Sequence, residues 1–380
     1  MKTEKLYEKD AYISLFEAKV LSCENAENGY KIVLDKTAFF PEGGGQPSDI
    51  GTLSESKVFD VQIENGEIYH YTQKPFSVGQ TVCGAIDFER RYNFMQNHTA
   101  EHIVSGIVYK RFGFDNIGFH LNEKEVTFDF NGFFSAGQLD EIELEANRRV
   151  WQNLSVTSFY PTDEELKEIQ YRSKDGIEGK IRLVKIEDTD ICACCAPHVK
   201  TTGEIGIIKF LSTEKQHGGT RIFMKCGKFA LSDYSNKSDD IKAICAALSA
   251  KEEGVREAVF SLNLRLEAEK SNIKALNSKL ISYEIKLFDK SKQAVLYEST
   301  DIKDLQMLAD GLHKTYGGVK TALAEREAGC AFVMCGGEEE IKSEFEKLKS
   351  VFTVKGGGRG EIRQGSIMAD IEKIKEYFGV

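Results

Sequence analysis

The chain has 380 residues, 41% of them hydrophobic and 29% charged, with a formal net charge of −10 at pH 7. That length exceeds one ordinary core and suggests roughly two to four domains of soluble, globular composition, while the acidic balance argues against a chain-wide nucleic-acid surface, because phosphate binding is driven by cationic contacts. The nine cysteines are scattered and odd in number, which points to a reducing cytoplasm. The N-terminus lacks the apolar core of a signal peptide, and no run approaches the ~20 apolar residues of a membrane span.

Residues 1–88 alternate apolar and polar side chains over short runs separated by Gly and Asn turns, as in Tyr30-Lys-Ile-Val-Leu and Lys57-Val-Phe-Asp-Val-Gln-Ile. This is the pattern of a small β-barrel or β-sandwich. Within it lies Thr37-Ala-Phe-Phe-Pro-Glu-Gly-Gly-Gly-Gln46-Pro-Ser-Asp49-Ile-Gly51. Its successive glycines, Gly43, Gly44 and Gly45, allow positive φ and let backbone amides approach a ligand, and Gln46 both donates and accepts hydrogen bonds; the same residues also suit a tight hairpin turn.

Residues 89–230 read as an α+β domain. Apolar residues at 94, 95, 103, 104, 107 and 108 predict a helix over Tyr92–Phe112 that carries His98-Thr-Ala-Glu-His102. Histidines at i and i+4 project from one helix face and form a chelating pair. Strand-like Val126-Thr-Phe-Asp-Phe, an acidic helix near 136–153 and strands from about 181 to 224 follow, interrupted by Cys194-Cys-Ala-Pro-His198. Three imidazoles (His98, His102, His198) and one thiolate (Cys194) make a donor set that suits Zn²⁺. The arrangement differs from the His-Glu-x-x-His of zinc proteases, because Glu101 follows His98 by three residues and adjoins His102. From Lys200 to Lys228, six cations including Arg221 face only Glu204 and Glu214, a local excess to which a polyanion can be drawn.

Residues 231–290 show apolar positions three and four apart, the mark of a helical arm or coiled coil with a break near 253. Residues 291–380 read β-α-β-β-α-loop-α, with Gly356-Gly-Gly-Arg-Gly in the loop before the last helix. The whole is an α+β multidomain chain: a β-barrel, a zinc-binding domain, a helical arm and a small C-terminal α/β domain.

The ordered set Phe39-Phe-Pro-Glu-Gly-Gly-Gly-Gln-Pro-x-Asp-x-Gly51, then Asn97-His-x-x-x-His102, then Cys194-x-x-x-His198-Val-x-x-Thr-Gly-Glu-Ile-Gly206, resembles the editing module of alanyl-tRNA synthetase and its freestanding relatives, the AlaX proteins. The arm and C-terminal segment resemble the synthetase's C-terminal region, related to the domain that accompanies DHH phosphoesterases. Here the glycine run is interrupted and charged, Gly356-Gly-Gly-Arg-Gly-Glu-Ile-Arg-Gln-Gly365. With no region long enough for a class II aminoacylation core ahead of the barrel, charging of tRNA is not expected of this chain. The resemblance implies trans-editing: zinc-dependent hydrolysis of the ester joining serine or glycine to the tRNA for alanine. On this reading Gln46, Thr37 and His120 are candidates for the catalytic or discriminating groups, Gly43–Gly45 and Arg221 bind substrate, and His98, His102, Cys194 and His198 hold zinc. A closed four-ligand shell needs one exchangeable member, expected at His198. The C-terminal half is expected to form a homodimer. The alternatives are a zinc hydrolase of a small ester or amide, and a noncatalytic tRNA-binding protein with structural zinc.

Overall fold

The period-two runs near the N-terminus close on themselves. In the computed structural model, which describes residues 3–123, 125–173, 180–216, 218–299 and 301–380, six antiparallel strands form a barrel. Their order is Leu15–Ala26, Gly29–Leu34, Glu67–Thr72, Ser56–Glu64, Gly51–Leu53, Thr81–Ile86 and back to the first. Closure leaves no unpaired edge. Alternation fills the interior: Ile68, His70 and Thr72 of one strand are buried, with Val20, Ile32, Leu34, Leu53, Val58, Val61 and Val82 from its neighbours.

The chain separates into two compact units, Met1–Ile241 and Lys242–Val380. In the first, the barrel leads directly into the histidine helix, Phe88–Phe112. The Asp87 side chain caps its start by accepting from Arg90 N, and Gly113, at φ 68°, ends it in the left-handed conformation. This helix is buried along most of its length rather than along one stripe. Ile103, Val104, Ile107 and Val108 share a core with Phe128, Phe130, Ile142, Ala146, Val184 and Ile186. Those partners come from a four-stranded sheet (Ile208–Gln216, Gly219–Cys226, Val126–Phe130, Asn116–Leu121), the helix Ala136–Trp151 and a three-stranded sheet (Val156–Phe159, Leu183–Ile186, Asp190–Ala193). A helix surrounded in this way can carry polar side chains into a dry interior.

The second unit holds a five-stranded sheet in the order Ala294–Leu296, Lys320–Arg326, Gly329–Cys335, Ile362–Met368, Thr353–Gly357. Ala322, Ala324, Val333 and Cys335 face Leu305, Leu308 and Leu312 of the helix Ile302–Tyr316, together with Ile281 of the long helix Val255–Leu287. Leu323, Phe332, Met334 and Ile367 share the other core with Ile341, Phe345, Leu348 and Ile374, from the helices Glu338–Val351 and Ile371–Phe378. The glycine segment expected as a loop is the hairpin of Thr353–Gly357 and Ile362–Met368. Its strands lack the β-branched density by which strands are read, and glycine is required at Gly356 and Gly365, where the backbones approach closely: a Cβ on Gly356 would lie 2.3 Å from Gln364 O. The helical segment breaks where Gly254 stands, between helices Gly227–Leu248 and Val255–Leu287.

Candidate metal centre

His98 and His102 lie one turn apart on the buried helix, and Cys194 and His198 come from the loop after strand Asp190–Ala193. One ligand atom from each of the four lies within 4.8 Å of the others. Cys194 Sγ is 3.6 Å from His98 Nε2 and 3.3 Å from His198 Nε2. A tetrahedral zinc with ordinary bond lengths places sulfur and nitrogen ligands about 3.6 Å apart, so the group has the dimensions of a shell around one ion.

Two of the three outward nitrogens are anchored by hydrogen bonds. His98 Nδ1 is 2.9 Å from Gln46 Oε1, His198 Nδ1 is 3.0 Å from Thr99 Oγ1, and His102 Nδ1 faces Asp190 Oδ2 at 3.4 Å, outside hydrogen-bond geometry. Thr99 Oγ1 also lies 2.8 Å from Met95 O, to which it donates. With that proton committed, the hydroxyl accepts from His198 Nδ1–H, and the lone pair of Nε2 is left facing Cys194. The same logic at His98 makes Gln46 Oε1 the acceptor. Arg172 holds Asp190 through two bonds of 2.8 and 2.7 Å. Gly106, one turn beyond His102, lets this carboxylate come close, since a Cβ there would sit 2.8 Å from Asp190 Cβ and 2.9 Å from Thr189 O.

The electrostatics are those of a metal-ready pair. Burial pushes the Cys194 thiol up, but the imidazoles of His98, His198 and His102 draw it well below its ordinary range. For His102, burial disfavours the charged form, yet Cys192, Asp190 and Cys194 raise it well above the usual imidazole value. Burial holds His198 down at about 3. The thiolate that zinc needs is thus already favoured by the surrounding imidazoles. A donor set of three imidazoles and one Sγ, with the rings of His98 and His198 fixed from behind, fits Zn²⁺, which His98, His102, Cys194 and His198 would hold.

The glycine turn from the barrel covers this cluster. Gly43 N donates to Gln46 O and Gln46 N to Gly43 O at 3.1 and 3.0 Å, with Gly44 and Gly45 at φ 62° and 82° between them. Leu121 N donates to Gly45 O, and any Cβ at Gly45 would be 2.7 Å from Phe119, whose ring lies 4.8 Å from that of His98. Gln46 Nε2 is buried without a hydrogen-bond partner among the described residues.

Other residues singled out in the sequence have their contacts elsewhere. Thr37 is buried against the barrel residue His70, with Oγ1 2.7 Å from His70 Nε2. His120 is exposed and follows Phe119 on its strand, so its side chain leaves the opposite face. Arg221 forks across the sheet to Asp129 with two bonds of 2.7 Å. The expected basic stretch is largely neutralised: Lys200 pairs with Asp10, Lys209 with Glu143, Lys225 with Asp233 and Lys228 with Glu89. Sequence reasoning missed Thr99, Asp190, Arg172 and Gly106. Only Gly106 left a signal, a glycine inside a helical pattern.

Two family models match the chain: the threonyl and alanyl tRNA synthetase second additional domain over residues 181–223, and the class II (A) tRNA synthetases over residues 3–90. The alanyl-tRNA editing protein AlaX-L of Pyrococcus horikoshii is 30% identical over 98% of this chain and 96% of its own length. The alanyl-tRNA editing protein Aarsd1 of Rattus norvegicus is 30% identical over 71% of this chain and 70% of its own. The alanine–tRNA ligase of Pyrococcus abyssi is 33% identical over 98% of this chain, which spans 43% of that ligase. With this end-to-end similarity to AlaX-L, the chain belongs to the alanyl-tRNA editing protein family.

Proposed function

We propose that this protein is a trans-editing aminoacyl-tRNA deacylase that hydrolyses the ester linking serine or glycine to the tRNA for alanine. One observation carries the reading: a buried His98–His102–Cys194–His198 cluster lies under a glycine turn whose Gln46 both fixes His98 and keeps an unpartnered buried N–H. Zn²⁺ held by the four residues supplies Lewis acidity for ester hydrolysis.

The chain's own groups do the rest. Gln46 Oε1 holds His98 with Nε2 inward, and Gln46 Nε2 donates to a substrate oxygen. An aminoacyl ester is already activated, so a preorganised donor and a site shielded by Phe119 and the turn suffice without a covalent nucleophile. The same donor favours serine over alanine, because a site that hydrogen-bonds a hydroxyl discriminates strongly against the analogue lacking it.

Deacylation of seryl-, glycyl- and alanyl-tRNA for alanine, with and without a chelator, tests the reading. Seryl-tRNA should be hydrolysed much faster than alanyl-tRNA, and chelation should stop it. Equal rates would defeat editing, and activity on small esters alone would make the protein a general zinc hydrolase. Gln46→Ala should lower turnover or selectivity at unchanged zinc content.

We place the protein in the cytoplasm, in keeping with nine unpaired cysteines and with no described helix long and apolar enough to cross a membrane. We also assign it a homodimer through the C-terminal half, supported by exposed Val259, Phe260, Leu264, Ile273, Leu276 and Leu280 on the long helix. Sedimentation of the full chain as a monomer at micromolar concentration would remove that assignment.

A further inference from the structure

The largest side chain without solvent exposure among the described residues is a cation, Arg91, in the first turn of the histidine helix. Its partner, Asp49, is 1% exposed. Arg91 Nε donates to Asp49 Oδ1 and Oδ2 at 3.2 and 3.0 Å, Nη2 reaches Asp49 Oδ2 and Ala38 O, and Nη1 donates to Ala11 O at 3.2 Å. Among the described residues, none of these groups hydrogen-bonds to the four residues of the metal cluster.

Asp49 closes a loop. Its Oδ2 accepts from Phe40 N at 2.6 Å, and its own N–H donates to Phe40 O at 2.9 Å. The eight residues Pro41–Ser48 bulge from this neck, with the Gly43–Gln46 turn at their tip. Arg91 plugs the neck, and His98 takes Gln46 at the tip. Arg91 and His98 are seven positions apart, close to two full turns, so one helix face grips the loop at two points about 10 Å apart.

Stability alone is a poor account of this pair. A buried ion pair loses so much hydration that apolar residues of similar volume often serve the fold as well or better. The pair does supply direction: a forked cation can satisfy a carboxylate and a backbone carbonyl only in one register. We propose that Arg91 and Asp49 are positioning residues that hold the glycine turn in register over the metal cluster, so that Gln46 meets both His98 and the substrate. The part of this inference that concerns turnover rests on the deacylase reading; the part that concerns the loop does not.

The test is the paired replacement Arg91→Met with Asp49→Leu, which leaves no uncompensated charge. Zinc content, the unfolding midpoint, the His98 Nδ1–H resonance in ¹⁵N-histidine-labelled protein, and deacylation kcat and KM are measured together. The expected result is full zinc, a folded protein, loss of the His98 Nδ1–H signal and a kcat lower by about 10²-fold, the scale of a 1 Å misplacement. A merely structural pair would move the midpoint and leave that signal in place. An unchanged signal and unchanged kcat in the folded variant overturn the proposal. If the paired variant does not fold, Arg91→Lys keeps the charge but not the fork; a weakened signal and a kcat lower by about tenfold support the lock, and wild-type values for both overturn it. Should the wild type deacylate none of the tRNAs, the deacylase reading fails and the His98 signal alone decides the lock.

Discussion

His70 in the barrel and His198 in the metal cluster are both buried, and desolvation holds both imidazoles below the ordinary value, at about 4 and about 3. Their wiring differs. His70 donates from Nδ1 to Ile32 O at 3.1 Å, and Thr37 Oγ1 donates to its Nε2 at 2.7 Å, so both nitrogens are satisfied within the barrel. In the cluster only the outward nitrogens of His98 and His198 have such partners, while their Nε2 atoms meet at one thiolate. Burial by itself therefore says little about function. A buried histidine with both nitrogens paired is part of a core, and a set of them with one nitrogen each held in common is a binding site.

Removing a ligand breaks this contrast most severely. Cys194→Ala should lose zinc and deacylation down to background, and His102→Ala should do the same, as elemental analysis beside the tRNA assay will check. Full zinc occupancy in Cys194→Ala would pass the thiolate role to its exposed neighbour, Cys195. The imidazoles draw the Cys194 thiol well below its ordinary range, and its charged neighbours raise His102 well above its own, so zinc competes with the His102 proton. Affinity should fall as pH drops through the raised His102 range, with about one proton released per ion when binding is measured by calorimetry in buffers of different ionisation heat.

Next in size is the pH response of the barrel. Unfolded His70 binds a proton near the ordinary 6.5 and folded His70 only near 4, so the unfolded state holds more protons between those values. The stability contributed by neutral His70 is complete above that window and is lost as pH falls through it, by about 3 kcal/mol. Denaturant titrations from pH 7 to 4 should show this loss, and His70→Gln should flatten it. Thr37→Val sharpens the same point: leaving His70 Nε2 and Phe39 N without the hydroxyl should cost about 1–3 kcal/mol with zinc content unchanged. Loss of zinc in that variant would mean that Thr37 belongs to the cluster after all.

How much of this was legible beforehand follows from the range of each signal. The i, i+4 histidines and the Cys-x-x-x-His pair are local, so the sequence alone could nominate the four residues that the fold brings within 4.8 Å. The barrel's alternation is local too, although the short strand Gly51–Leu53 left little trace. The anchors behind the imidazoles are not local. Asp190 reaches His102 from another element, and Thr99 reads as one more threonine on a helix until His198, 99 positions away, is folded against it. The pairing of Arg221 is non-local in the same way: a cation's availability depends on its partner, and Asp129 lies 92 positions off. The glycine hairpin near the C-terminus was hidden because its pairing depends on missing side chains.

Gly106 yields the finest test, because two effects on stability oppose each other there. Replacing it by Ala in the interior of a helix should gain roughly 0.5–1 kcal/mol of backbone preference. The new methyl would stand 2.8 Å from Asp190 Cβ and 2.9 Å from Thr189 O, so the strand must retreat. Such overpacking typically costs about 1–3 kcal/mol, and the net change in unfolding free energy should be near 1 kcal/mol. The local consequence is larger than the global one. Asp190 Oδ2 stands 3.4 Å from His102 Nδ1, where its charge favours the ring without a hydrogen bond, and moving it farther weakens that influence. Zinc affinity, measured by competition with a chromophoric chelator, should fall by about 10-fold or more, as for other groups behind a ligand. A Gly106→Ala protein that binds zinc as tightly as the wild type would show that His102 is oriented by the helix alone, with no contribution from Asp190.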